Sequence, residues 1–206
     1  MLKIIVKVFL IMFLFTKLVF AGNHFENVIN ENVINENVYI GIGLINSTLT
    51  VNEAALSSKY ANGNDVFMGE EPGNIEIILG YKRDRHLNLE MGFAGLGVIN
   101  TKVGEQTITV AEVETFFVNA SLSTRLSEKF KFYGKLGVSS WDVYSGSDRA
   151  KSIDSGSGLL YGLGFDINLY DGDDQQLRLE WKHHDFDGLL LQQADQISVS
   201  MLINFK

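Results

Sequence analysis

The chain has 206 residues, 46% of them hydrophobic and 11% aromatic, with 20 Gly, one Pro, no Cys and a formal charge of −8. That length suits one domain with a short appendage, and the lack of Cys excludes a disulfide scaffold and thiolate metal sites. An acidic balance with no basic cluster excludes a nucleic-acid interface, and mean hydropathy near zero resembles that of an ordinary soluble protein.

Residues 1–21 begin with Lys3 and Lys7, continue through the apolar run Val8 to Phe15, and end Val19-Phe20-Ala21 before Gly22. This is the basic, apolar, small-residue layout of a secretory signal peptide, with cleavage expected after Ala21. The run is too short for a spanning helix, and no later stretch approaches the ~18 apolar residues such a helix needs. Cleavage removes Lys3, Lys7 and Lys17, which leaves 14 basic against 25 acidic side chains and a charge of −11.

Residues 22–36 contain the repeat Glu26-Asn27-Val28-Ile29-Asn30, Glu31-Asn32-Val33-Ile34-Asn35. A period of five matches neither a helix face nor a strand face, so this segment reads as a polar tail leading into a domain that spans residues 37–206.

From Val38 onward eight segments show period-two patterning, the signature of strands with two unlike faces. One face carries Val38, Ile40, Ile42 and Leu44; Ile75, Ile77, Leu79 and Tyr81; then Leu87, Leu89, Met91 and Phe93. It continues through Phe116 to Leu122, Phe130 to Val138 and Leu159 to Leu169, and ends with Leu177, Leu179, Trp181 and the run Ile197 to Phe205. No charge falls on it. The opposite face mixes Gly, Ser and Asn with charges of both signs.

The connections alternate in length. Long loops are expected at Ser47 to Gly73, Leu96 to Glu112, Asp142 to Ser157 and Phe186 to Asp195, and tight turns at Arg83 to Arg85, Ser127 to Lys129 and Asp171 to Gln175. That alternation describes an antiparallel up-and-down array with both ends at the tight-turn side. Pro72, the single proline, falls in the longest loop, where it breaks no ladder.

Volume decides which face points inward. An eight-stranded barrel has an interior just wide enough to be filled by side chains, so more than thirty large apolar groups would crowd it while the Gly/Ser/Asn face fits. The apolar face is therefore expected to meet lipid. Its aromatics are expected to form two girdles, with Tyr81, Phe130, Phe132 and Phe205 near the tight turns and Phe116, Tyr161 and Trp181 toward the loops. A membrane demands closure of the sheet. The fold class is all-β: an eight-stranded antiparallel up-and-down transmembrane β-barrel. Its interior charges must pair, and the expected network sets Glu76, Glu90, Asp166 and Glu180 against Lys82, Arg125, Lys131, Lys135, Arg178 and Lys182.

The stretches Phe132-Tyr133-Gly134-Lys135-Leu136-Gly137-Val138-Ser139-Ser140-Trp141, Leu160-Tyr161-Gly162-Leu163-Gly164-Phe165-Asp166 and Leu177-Arg178-Leu179-Glu180-Trp181-Lys182 resemble later strands of the OmpA-like outer-membrane β-barrel family. The resemblance covers roughly Val38 to Lys206. It implies a Gram-negative outer-membrane location, loops facing outside, contact with outer-membrane lipids and lipopolysaccharide, and delivery by the barrel assembly machinery through the strand Ile197 to Phe205. No peptidoglycan-binding domain of the kind many relatives append is expected, so cell-wall tethering is not carried over.

His183 and His184 precede Asp185 and Asp187, but alternation sends the two rings to opposite faces, which splits both a metal site and a nucleophile pair. His24 lies in the tail and His86 beside a tight turn. Asp171-Gly172-Asp173-Asp174 lacks the spaced carboxylates and distal Glu of a calcium loop. No cofactor, metal or catalytic residue is expected. The sequence therefore reads as a non-enzymatic barrel for envelope structure, with loops for adhesion or host contact; the alternatives are a low-conductance, porin-like channel and a lipid A-modifying enzyme.

Overall fold

The computed structural model describes residues 37–60, 64–68, 74–103, 105–146, 148–169 and 174–205. The signal peptide, the repeat tail with His24, Pro72, Asp171-Gly172-Asp173 and Lys206 lie outside the described residues. Within them run β1 (Val38–Val51), α1 (Glu53–Tyr60), β2 (Val66–Met68), β3 (Asn74–Lys82), β4 (Leu87–Val103), β5 (Gln106–Arg125), β6 (Phe130–Ser145), β7 (Asp148–Asn168), β8 (Gln175–Asp185) and β9 (Leu191–Asn204).

Every neighbouring pair is antiparallel, and β1 pairs with both β3 and β9, so β1 and β3 to β9 close into an eight-strand ring. The closing seam runs from Tyr39 opposite Asn204 to Val51 opposite Leu191. Closure leaves no open edge at membrane depth, where an unpaired amide would have neither water nor a partner. Short β2 stands apart from the ring, on the far part of β4, with Val66 opposite Thr101.

Alternation sorts the side chains as the volume argument requires. Ile42, Leu44, Leu136, Leu163 and Ile197 are exposed on the outside, while Glu76, Glu90, Lys135, Asp166 and Arg178 are buried inside. Two glycines show why the inner face is rich in small residues. A Cβ at Gly80 would overlap the Tyr39 ring, and one at Gly164 would overlap the Tyr133 hydroxyl.

The short turns are pinned by side chains. Asp84 Oδ1 accepts the backbone N–H groups of His86 at 2.7 Å and Leu87 at 2.9 Å. Ser127 Oγ accepts those of Lys129 at 3.3 Å and Phe130 at 3.2 Å. Such local bonds satisfy backbone donors that the ladder leaves behind.

The far end departs from expectation. Leu96 to Glu112 and Asp142 to Ser157 are mostly strand rather than loop: β4 and β5 stay paired out to Val103 opposite Gln106, and β6 and β7 out to Ser145 opposite Asp148. In the span Ser47 to Gly73, β1 continues to Val51 and is followed by α1 and β2. In the span Phe186 to Asp195, β9 already begins at Leu191. Two register shifts in the β4–β5 pairing, one with the extra residue Leu96 on β4 and one with the extra residue Val110 on β5, explain the miss in the first hairpin. Each bulge flips parity, so a sequence rich in Val, Ile and Thr loses its period-two signature. Gly97 sits at φ 130°, a backbone conformation that side-chain-bearing residues rarely adopt.

A second departure concerns the inner face, which is polar only in part. Toward the end away from the short turns it becomes apolar, with Ile45, Leu49, Leu96, Val113, Phe117, Trp141, Val143 and Leu160 all buried. Leu56 of α1 and Phe186, Leu190 and Leu191 after β8 join the same cluster.

Candidate functional site

Seven charged side chains meet in the middle of the barrel. Glu90 accepts from Tyr39 Oη at 2.5 Å, Lys135 Nζ at 2.7 Å and Arg178 Nη1 at 2.5 Å. Arg178 also grips Asp166 with two parallel bonds, Nε to Oδ1 at 2.8 Å and Nη2 to Oδ2 at 3.0 Å. Glu180 forms ion pairs with Lys135 and, at 3.5 Å, with Lys182, whose Nζ in turn donates to Glu76. Glu76 takes further bonds from Gln196 at 3.2 Å and Ser200 Oγ at 2.9 Å.

Charge alternates along this chain: Asp166, Arg178, Glu90, Lys135, Glu180, Lys182, Glu76. Each cation bridges two carboxylates, which is how so many charges are held out of water. Aromatic faces complete the lining. Arg178 lies 4.5 Å from the Tyr133 ring centroid and Lys182 Nζ 4.7 Å from that of Phe117. The strand pleat produces this arrangement, because the seven charges project inward from five strands, β3, β4, β6, β7 and β8, toward one axis.

The remaining three members of the expected network lie elsewhere. Lys82, Arg125 and Lys131 line a cavity of about 620 Å³ at the short-turn end, together with the turn residues Asp84 to His86. Hydrogen bonds from two backbone amides hold the Asp84 carboxyl below the usual carboxylate range.

The opposite end is closed by the apolar cluster. The Trp141 and Phe186 rings are 5.5 Å apart, and His184 stacks on Phe186 at 5.4 Å. Sequence reasoning missed this cluster because Phe117, Trp141 and Leu160 share the parity of glycines and charges lower on the same strands. The signal that finds them is a large apolar residue at an inward position near a strand's loop end.

The two neighbouring histidines do face apart. His184 is buried with Nε2 3.3 Å from Gln196 Oε1, and His183 is half-buried on the outer face with Nδ1 2.9 Å from Asp195 Oδ1. Outside, Tyr161 packs between Trp181 at 5.9 Å and His183 at 4.9 Å. Phe132 meets Phe165 at 5.2 Å. Phe130, Tyr161, Trp181 and Phe205 are exposed; Tyr81, Phe116 and Phe132 are half-buried. No cluster of three or more His, Cys, Asp or Glu suited to a metal ion occurs among the described residues.

The family model of the outer membrane protein beta-barrel domain matches residues 30–205. Among solved structures, Ail, the attachment invasion locus protein of Yersinia pestis, is 16% identical with a TM-score of 0.51, over 82% of this chain and 99% of that one. Neisserial surface protein A is 12% identical with a TM-score of 0.54, over 82% and 97%. Outer membrane protein AlkL is 11% identical with a TM-score of 0.53, over 89% and 96%. At these identities the likeness is one of fold. No curated protein matches the chain.

Proposed function

This chain belongs to the outer membrane protein beta-barrel domain family, and from that premise we propose that it is a non-enzymatic surface-display barrel whose protruding hairpins contact host or surface ligands. It resides in the outer membrane. The observation that carries the reading is strand length. A transmembrane β-strand needs about 9–11 residues, whereas β4, β5, β6 and β7 have 17, 20, 16 and 21. At about 3.3 Å per residue and the usual tilt, such strands outreach a ~25 Å apolar band by a wide margin.

The surplus lies at the end away from the short turns, where the β4–β5 and β6–β7 hairpins also pair with each other, β5 with β6 out to Ala111 opposite Ser145, in one protruding sheet over an apolar plug. A rigid ribbon presents side chains without the ordering entropy of a free loop, which suits recognition. On this reading Tyr81, Phe116, Phe130, Phe132, Tyr161, Trp181 and Phe205 anchor the wall against lipid and lipopolysaccharide, and the barrel assembly machinery inserts it. The name of Ail describes attachment and invasion by that protein, and a similar role here agrees with the protruding ribbons.

The test is adhesion of a non-adherent Gram-negative host expressing the chain to cultured epithelial cells. Replacing Thr101 to Thr109 and Tyr144 to Ser152 by short turns should abolish adhesion while heat-dependent gel mobility, the mark of a folded barrel, persists. Unchanged adhesion would remove the ribbons from the function. A narrow channel is the second reading, favoured by the cavity that opens the short-turn end as far as Arg178. The apolar cluster above the charge network opposes it, and planar-bilayer conductance separates the two.

A further inference from the structure

The cavity at the short-turn end has a wall unlike the rest of the molecule. Lys82, Arg85, Arg125, Lys131 and Arg178 contribute five cations, and Asp84 and Asp166 two carboxylates, so the lining is formally +3 in a chain of charge −8. Asp166 is paired within the wall with two nitrogens of Arg178, and Asp84 accepts from the amides of His86 and Leu87. His86 donates Nδ1–H to the Ser123 carbonyl at 2.9 Å, which orders its ring in the wall.

A concave site whose lining carries an excess of one sign of charge focuses its field and concentrates the opposite ion. The volume of about 620 Å³ is that of a small-molecule site and far exceeds one water or chloride. Two guanidinium groups on the wall, Arg85 and Arg125, offer the forked donors that match phosphate oxygens in pairs.

The geometry points to a binding site for phosphate-bearing anions inside the short-turn mouth of the barrel, on the periplasmic side of the membrane. The shared chemistry is an anionic phosphate group, whether of a free solute or of a lipid headgroup folded over the rim. The site faces away from the protruding ribbons, so it stands or falls independently of the adhesive reading.

Inorganic pyrophosphate is titrated by calorimetry into the full chain in phosphatidylcholine nanodiscs, and thermal midpoints are compared in nanodiscs with and without phosphatidylglycerol. Saturable pyrophosphate binding that weakens at least tenfold in Lys82→Gln/Arg125→Gln/Lys131→Gln supports the site with a free anion as ligand. No pyrophosphate binding, but a midpoint rise with phosphatidylglycerol that the triple variant loses, supports it with the headgroup. If the triple variant fails to show heat-dependent gel mobility, Arg85→Gln and Arg125→Gln singly serve, each expected to weaken binding at least threefold, with Lys102→Gln at the other end as an unchanged control. Absence of both signals, or the same binding in the neutralised variants, overturns the proposal.

Discussion

Arg178 donates to Glu90 at 2.5 Å across the barrel, joining residues 88 positions apart in sequence. Arg178 is 1% exposed and Glu90 fully buried, so neither can recover its hydration if the other is lost. Arg178→Met should therefore cost about 3–5 kcal/mol, because it takes from Asp166 and Glu90 a cation that both buried carboxylates share rather than merely deleting one pair. Urea unfolding in phospholipid vesicles reads this as a shifted midpoint. The double change Arg178→Met/Asp166→Asn should cost less than Arg178→Met alone, and an unchanged midpoint in the single variant would show that the network does not hold the wall together.

Leu163 and Gly164 are adjacent in β7 and test the two faces in opposite ways. Leu163 points outward, opposite Gly134 on β6 and Trp181 on β8. Leu163→Arg should lose about 2–4 kcal/mol in a bilayer by placing a charge in hydrocarbon, while Leu163→Phe should be tolerated. Gly164→Leu should fail sterically, since a Cβ there already overlaps Tyr133. Vesicle refolding yields for the three variants give the comparison; tolerance of Leu163→Arg would place that face in water.

These two residues also show what the sequence discloses. Along Leu159 to Leu169 every second side chain is large and apolar, because lipid asks only for hydrophobicity and imposes no shape, so the pattern survives unbroken. The same logic makes Glu76, Glu90, Asp166 and Glu180 legible as interior groups that need cations. Which cation serves which carboxylate depends on shear and register around the ring, and local alternation carries neither. Hence Lys135, Arg178 and Lys182 join the central network while Lys82, Arg125 and Lys131, of identical parity, end at the mouth. Beyond the bilayer the constraint on the outer face disappears and bulges reset parity, as at Gly97, so the ribbons read as loops. Trp141 and Phe117 were hidden for a third reason: an apolar group inside a barrel breaks the pattern that identifies the barrel.

Trp141 closes the end away from the short turns. Its ring is fully buried, packs on Phe186, and fills the space beside Gly156 and Gly188. Trp141→Ala should cost about 3–5 kcal/mol, the range for large-to-small changes where neighbours cannot collapse, and a closed ring of strands collapses poorly. The same variant should raise single-channel conductance in planar bilayers above a near-zero wild-type level. Equal conductance in both proteins would place the barrier to ions at the charge network instead.

Asp84 ties the turn between β3 and β4 through the amides of His86 and Leu87. Those bonds favour the ionised carboxyl and lower its pKa below the ordinary 3.8. A depressed folded-state pKa means that the contribution is complete above the unfolded value and is lost as pH falls through the folded one. The turn should therefore be intact at pH 5 to 8 and loosen only below about 4. Because the carboxyl is fully exposed, the change stays local and is best followed by amide hydrogen exchange at His86 and Leu87. In Asp84→Ala both amides should exchange faster at pH 6, with the barrel ladder at Leu79 and Met91 unaffected. Equal protection in wild type and variant would assign the turn's order to the backbone bond from Arg83 N–H to the Leu87 carbonyl at 2.9 Å and leave the Asp84 side chain without a structural role.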